Sequence, residues 1–356
     1  MKSRLARIAA WNAIALSAGL AAAMLCALPA AAQSVPERNA AVYMYKGADR
    51  DQRLLERARK EGTLTFYTSL ATTESIPLTQ AFEKKTGVKV LLWRALSEEV
   101  VQRALNEARG KRNLMDVVET NGPEVETLTR EQITAEYYSP HTAKYPAWAI
   151  PSHRQWVSDR MDFFVVAYNT GKVKREELPA TYEGFGDPKW KGRLGIEATD
   201  QEWLAGMVKL WGSERGLGFF RKLVALRPDV RKGHVLLAQL IAAGEIQVGL
   251  TAYASNAESS KRTGAPIDWV AMEPVVVRPQ GLAVSRNAPN PNAALLFVDY
   301  LLSPEGQQFY ESVGRFPASR GVRGAGDPSK VVMVDSQASV DEGDKWQKIW
   351  GELLKR

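Results

Sequence analysis

Residues 62–69 read Gly62-Thr63-Leu64-Thr65-Phe66-Tyr67-Thr68-Ser69, and residues 87–93 read Gly87-Val88-Lys89-Val90-Leu91-Leu92-Trp93. Both β-rich runs predict strands. Between them Ile76 to Thr86 carries Leu78, Ala81 and Phe82 at helical spacing and stops at a glycine, so the stretch reads as a β-α-β unit. Upstream, Arg53 to Lys60 predicts a helix halted by Gly62; downstream, Glu98 to Arg109 predicts a helix and Met115-Asp116-Val117-Val118 a strand. Alternation of this kind implies a parallel sheet with helices on both faces and ligands beyond the carboxyl ends of its strands. The candidate site loops are then Thr68 to Thr73 and Glu119 to Pro123.

A second alternating block follows. It opens with the strand Phe163-Phe164-Val165-Val166-Ala167-Tyr168 and continues with a strand at Leu194-Gly195-Ile196. Helices are expected over Gln201 to Trp211, Leu217 to Ala225 and Val235 to Ala243, and a strand over Ile246 to Leu250. The chain returns through two extended pieces, Glu273 to Val277 and Gly281-Leu282-Ala283-Val284. Crossings near Val165 and Val277 would join two lobes and form a hinge. Lobe 1 is expected to hold residues 33–164 and 280–312, and lobe 2 residues 165–279 and 313–356. Ser303 and Pro304 mark the start of a further helix to Gly314. A helix from Asp341 to Leu354 is expected to close the chain.

At the start, Lys2, Arg4 and Arg7 precede an uncharged apolar run from Ile8 to Leu28, and Pro29-Ala30-Ala31-Ala32-Gln33 puts small residues where a signal peptidase needs them. Residues 1–32 are read as a signal peptide cleaved after Ala32, the other reading being a membrane anchor. Bulky Leu25 before Cys26 argues against a lipoprotein leader. Cleavage would remove the single cysteine and leave 44 basic against 40 acidic side chains in 324 residues. Such a length can bury cores that need no disulfide. The charges are interspersed, unlike the basic stripe of a nucleic-acid binder. A soluble monomer is expected.

Three segments resemble the periplasmic solute-binding proteins of ABC importers, in the group around the ferric-iron-binding proteins. They are Gly62 to Ser69 with Ala81-Phe82-Glu83-Lys84-Lys85-Thr86-Gly87-Val88-Lys89-Val90, and Asp187-Pro188-Lys189-Trp190-Lys191-Gly192-Arg193 with Ala242 to Gly249. The third is Pro291-Asn292-Ala293-Ala294 leading to Phe297-Val298-Asp299-Tyr300-Leu301-Leu302-Ser303-Pro304-Glu305-Gly306-Gln307. The resemblance covers nearly all of residues 60 to 320. It implies an α/β, type II-like, two-lobed binding protein, each lobe a doubly wound sheet, that closes by a hinge on one small solute and presents it to an inner-membrane ABC permease. Closure would be driven by contacts that only the closed state makes.

In iron-binding members a histidine after the first strand, a glutamate after the third and two adjacent tyrosines hold the metal. Here the first loop reads Tyr67-Thr68-Ser69-Leu70-Ala71, Asn121 stands where the glutamate would align, and the tyrosine pair is reduced to Tyr253 in Thr251-Ala252-Tyr253-Ala254. One tyrosine with hydroxyls and an amide is a poor set for hard Fe3+. If iron binds, Glu119 and Tyr253 are the expected ligands. Otherwise the expected ligand is a small organic anion such as a phosphonate, sugar phosphate or carboxylate, held by Thr68, Ser69, Asn121, Thr199, His234 and Tyr253. Helix starts near Ser69, Thr199 and Gly233 would add free amides, with Thr199-Asp200-Gln201-Glu202 read as a capping box. Arg94, Arg193 and Arg278 are candidate counter-charges.

Two other features are set aside. Tyr137-Tyr138 is read as packing, and His141, His153 and His234 lack metal-ligand spacing. No G-x-S-x-G elbow, H-E-x-x-H helix or Cys-His pair argues for the rival class, a secreted hydrolase.

Overall fold

The computed structural model describes residues 33–322 and 330–355. The expected signal peptide lies outside the described residues. Residues 33–38 open helix α1 (Val35–Tyr43), and the compact body runs from Asn39. Among the described residues no helix is long and apolar enough to cross a membrane.

The body begins with α2 (Arg50–Glu61), β1 (Thr63–Thr68), α3 (Thr72–Thr86), β2 (Lys89–Arg94), α4 (Ser97–Arg109), β3 (Val117–Asn121), α5 (Gly122–Arg130) and the short β4 (Thr134–Ala135). Gly62 and Gly87 end α2 and α3 at φ 76° and 80°, where their N–H groups bond back to Ala58 and Glu83. A side chain is strained in that left-handed conformation, which is why the glycines mark the stops. β1 lies parallel to both β2 and β3.

The middle of the chain supplies β5 (Val157–Asn169), β6 (Leu194–Glu197), α6 (Gln201–Trp211), α7 (Ser213–Ala225), β7 (Asp229–Arg231), α8 (His234–Ala243), β8 (Val248–Tyr253), α9 (Ala254–Arg262) and β9 (Ile267–Val270). The return comprises β10 (Val275–Ser285), α10 (Pro291–Leu302), α11 (Pro304–Ser312), β11 (Phe316–Pro317), β12 (Val331–Met333), α12 (Ser336–Asp341) and α13 (Gly343–Leu354). The strand order is β2-β1-β3-β10-β5-β8-β6-β7. One lobe is built on β2-β1-β3-β10 and the other on β8-β6-β7. β5 pairs with β10 on one side and β8 on the other, linking the two groups of strands.

Four apolar cores line the two faces of the two sheet halves. Leu64 and Phe66 of β1 point into one core while Tyr67 points into the opposite one, the alternation a strand imposes. β10 feeds all four: Leu282 and Val284, then Ala283, then Val275 and Val277, then Val276. This explains why every residue of β5 and β10 is buried.

Three expectations change. β5 begins at Val157 rather than Phe163, because Ser158, Asp159, Arg160 and Asp162 are buried strand residues whose side chains find partners across the fold, among them Glu119, Tyr310 and Arg315. The two extended return pieces are one strand, β10, that runs through Pro279; its ladder shifts register against β5 between Gln280 and Gly281. The tail folds as two helices, α12 packing on α5 and α13 on α6 and α7.

Candidate functional site

The carboxyl ends of β1, β2 and β3 deliver Ser69, Arg94 and Asn121 to one wall of a cleft of about 290 Å³. Glu197 at the end of β6, Gly233 and His234 at the start of α8, and Tyr253 at the end of β8 form the facing wall. Arg160 and Asp162 of β5 with Arg278 and Gln280 of β10 make the floor, and Arg315 adds to it. At the rim Lys232 stands 3.8 Å from Glu98, joining the start of α8 to α4.

The expected residues separate under this geometry. Ser69, Asn121, Thr199, His234 and Tyr253 line the cleft; Thr68 does not. It is fully buried, donates its hydroxyl to Glu119 and accepts from the Leu70 amide at 2.9 Å. Ser69 accepts from the Thr120 hydroxyl at 3.1 Å, and the Asn121 amide donates to Glu124 at 3.1 Å. Thr199 opens no capping box. The residue before α6 is Asp200, without a side-chain cap, and the Thr199 hydroxyl donates to Glu197 at 2.9 Å because that buried carboxylate lies closer than the helix amides. Of the three arginines, Arg94 and Arg278 line the cleft. Arg193 sits away from it, bonded to Gln247 and stacked on Trp190.

Buried charge is matched pair by pair. Arg160 donates to Glu119 at 2.7 Å and to Asp162 at 2.8 Å, and Arg315 reaches Asp162 at 2.9 Å and Glu74 at 2.8 Å. Against the upward push of burial, Arg315 and Arg160 hold Asp162 below its ordinary carboxylate range. Arg278 donates to the Tyr253 hydroxyl and, at 2.8 Å, to Glu202, and it lies over the Phe164 ring. Burial drives the Tyr253 phenol well above its ordinary value although Arg278 pulls the other way. Tyr253 is therefore a neutral phenol. Across from Asn121, Glu124 is pushed up to about 7 by burial and then by Glu202.

His234 stacks on Tyr253 with ring centroids 3.5 Å apart. Its Nδ1 is 3.1 Å from the Thr251 carbonyl and its Nε2 3.2 Å from Asp200, so both nitrogens face acceptors. Burial lowers the His234 pKa, but Asp200 and then Glu197 more than restore it, and the ring is raised overall.

Among the described residues, Glu197, Asp200 and His234 form a set whose ligand atoms lie within 4.8 Å of one another. Glu197 accepts from Thr199 and from the Gly233 amide at 2.8 Å, and Asp200 Oδ1 faces His234 and Arg278, whereas Asp200 Oδ2 is buried without a hydrogen-bond partner. Of the residues expected to hold iron, Glu119 is sealed behind the cleft by Arg160 and Thr68, and the Tyr253 hydroxyl accepts from Arg278.

Sequence reasoning missed Arg160, Asp162, Glu197, Lys232, Gln280 and Arg315. The readable signal for two of them was a polar run, Ser158 to Asp162, set directly against an apolar strand. The other four carry no local mark. Tyr137 is packing, as expected: it is buried and donates to the Leu282 carbonyl at 2.8 Å.

The family model described as bacterial extracellular solute-binding protein matches residues 113–344. Iron uptake protein A1 of Synechocystis sp. is 25% identical over 287 residues, 74% of this chain and 77% of its own. The major ferric iron-binding protein of Neisseria meningitidis serogroup B is 25% identical over 264 residues, 70% of this chain and 78% of its own. Iron-bound HitA from Pseudomonas aeruginosa superposes with a TM-score of 0.68 at 22% identity, covering 82% of this chain and 99% of that one. AfuA from Actinobacillus pleuropneumoniae, with exogenous fructose-6-phosphate bound, gives 0.72 at 22% identity, covering 83% and 99%. With the matched sequence running from β3 through β10 to the tail helices, this chain belongs to the bacterial extracellular solute-binding proteins.

Proposed function

We propose that this protein captures a small organic anion between its lobes, without chemically altering it, and delivers it to an inner-membrane ABC permease. The observation that carries this reading is geometric: Arg94, half-buried and without a carboxylate partner among the described residues, stands in a cleft whose one lining tyrosine, Tyr253, accepts from Arg278 and stacks on His234. A ferric site needs anionic oxygens free to ligate; here Asp162 is tied to Arg160 and Arg315, and Glu197 to the Gly233 amide and Thr199. A neighbour of the same fold was solved with fructose-6-phosphate, which places a sugar phosphate among the ligand classes worth testing first.

The mature protein begins at Gln33 and is a periplasmic monomer in this reading. Lobe 1 takes residues 33–164 and 280–312 and lobe 2 takes residues 165–279 and 313–356, with β5 and β10 as the hinge. Melting the purified protein against ferric citrate, phosphonates, sugar phosphates, carboxylates and polyamines tests the reading. A true solute at a hundred times its dissociation constant adds about 2.7 kcal/mol to stability. Stabilisation by ferric iron alone, or turnover of the stabilising compound, would defeat it.

A further inference from the structure

Resting on the organic-anion reading, we infer that the solute is a small phosphate monoester, its phosphoryl group seated between Arg94, Ser69 and the first turn of α8, with Gln280 as a specificity-determining donor on the floor. Four residues lining the cleft own a buried polar side-chain atom with no hydrogen-bond partner: Arg94 Nε, Arg160 Nε, Arg278 Nε and Gln280 Nε2. All four are N–H donors. The lining carboxylates Glu98 and Asp162 are paired with Lys232 and with Arg160 and Arg315, and one unmet acceptor, Asp200 Oδ2, lies on the carboxylate that faces His234, so the unmet side-chain capacity of the buried lining is mainly donor and favours a ligand rich in acceptors.

The distribution of charge narrows the class. Arg160, Arg278 and Arg315 already face carboxylates, Lys232 faces Glu98 and His234 faces Asp200. Arg94 makes only a 3.3 Å contact to the Ser69 carbonyl and, among the described residues, has no carboxylate within ion-pair reach. Opposite it, α8 starts at Gly233 with no capping side chain, and Gly233, His234, Val235 and Leu236 all line the cleft. Glu197 takes the Gly233 amide at 2.8 Å, but the unmatched Arg94 guanidinium together with the uncapped first turn of α8, worth about half a charge, still suits an oxyanion near two negative charges. A phosphate monoester carries about that charge on three strong acceptor oxygens, whereas a carboxylate carries one charge on two.

Size and the floor supply the remainder. About 290 Å³ corresponds to on the order of ten liquid-water volumes, more than an inorganic phosphate fills. The carbon skeleton therefore extends toward β10. There Gln280, only 1% exposed, presents a carboxamide N–H suited to a hydroxyl or carbonyl oxygen.

Calorimetric titration with fructose 6-phosphate, glycerol 3-phosphate, inorganic phosphate, fructose, citrate and putrescine tests this directly. At least one monoester should bind, inorganic phosphate at least tenfold more weakly and fructose not at all. Arg94→Gln should weaken the ester about 10- to 100-fold, as loss of a charge-assisted contact does, and Gln280→Leu about 2- to 10-fold. Neither should lower the melting temperature of the ligand-free protein by more than a few degrees. A merely structural Arg94 would leave the ester-to-fructose affinity ratio unchanged. Binding of citrate with no monoester bound overturns the inference and leaves the organic-anion reading standing; binding of putrescine alone overturns both. Absence of binding by both phosphate esters overturns the inference.

Discussion

Tyr253 shows how one side chain decides between two ligand chemistries. Its oxygen already accepts an N–H from Arg278, and its ring lies on His234, so deprotonation would have to occur in a buried site against Asp162, Asp200 and Glu202. The hydroxyl still owns a hydrogen to donate into the cleft. Tyr253→Phe should therefore weaken binding of the anion by roughly 0.5–1.5 kcal/mol, and wild-type protein titrated with ferric citrate should show no visible tyrosinate-to-iron band. A strong band that vanishes in the variant would sink the organic-anion reading. Asp116 carries a second residue-level prediction. Burial lifts it to about 6 although Thr65 and Asn290 donate to it at 2.7 Å. A folded pKa above the unfolded one means the native state binds more protons between about pH 4 and pH 6, so this contribution to stability is present at pH 4 and is lost as pH rises. The stability difference between wild type and Asp116→Asn should fall by up to about 3 kcal/mol from pH 4 to pH 7, read by urea denaturation. A constant difference would refute the assignment. Tyr253 was legible because it stands in a patterned segment. Asp200 and Glu202 were not, because their meeting with Arg278 exists only after α6 folds against β10.

At the scale of elements, glycine stops and alternating apolar runs made most helices and strands readable. The misreadings fall where tertiary partners reverse a local preference. Arg160 and Asp162 look like loop residues until each is placed beside its counter-charge, and Pro279 looks like a strand break until the register shift after Gln280 accommodates it. Helix α8 shows an element whose start is tuned by one residue. Gly233 sits at φ +102°, where its N–H reaches Glu197 while no side chain covers the helix amides. A Cβ there would meet nothing closer than Leu96 at 3.6 Å, so Gly233→Ala should suffer from backbone strain rather than collision. The expected loss is about 1–3 kcal/mol in equilibrium unfolding. A variant as stable as wild type would show that the turn relaxes freely.

The whole molecule is held by two strands that take part in nearly every core. β10 contributes to all four apolar clusters, and β5 adds Val157, Phe163 and Phe164 to three of them, so this pair of strands ties the cores of the molecule together. Two crossings were visible in the chain; the buried polar seam of Arg160, Asp162, Arg278 and Gln280 between them was not. The structure touches at the rim, where Lys232 meets Glu98 at 3.8 Å with both side chains about half exposed. An exposed pair of this kind is worth about 0–1 kcal/mol, enough to shift an open-closed balance by up to about fivefold. Glu98→Lys places like charges across the rim, so the ligand-free protein should show a larger radius of gyration in small-angle scattering and bind its anion up to about fivefold more weakly. Adding Lys232→Glu in the same chain restores opposite charges, and with them the radius and the affinity. Equal affinity and radius in wild type, single and double variants would show that closure is set by the floor and the solute alone.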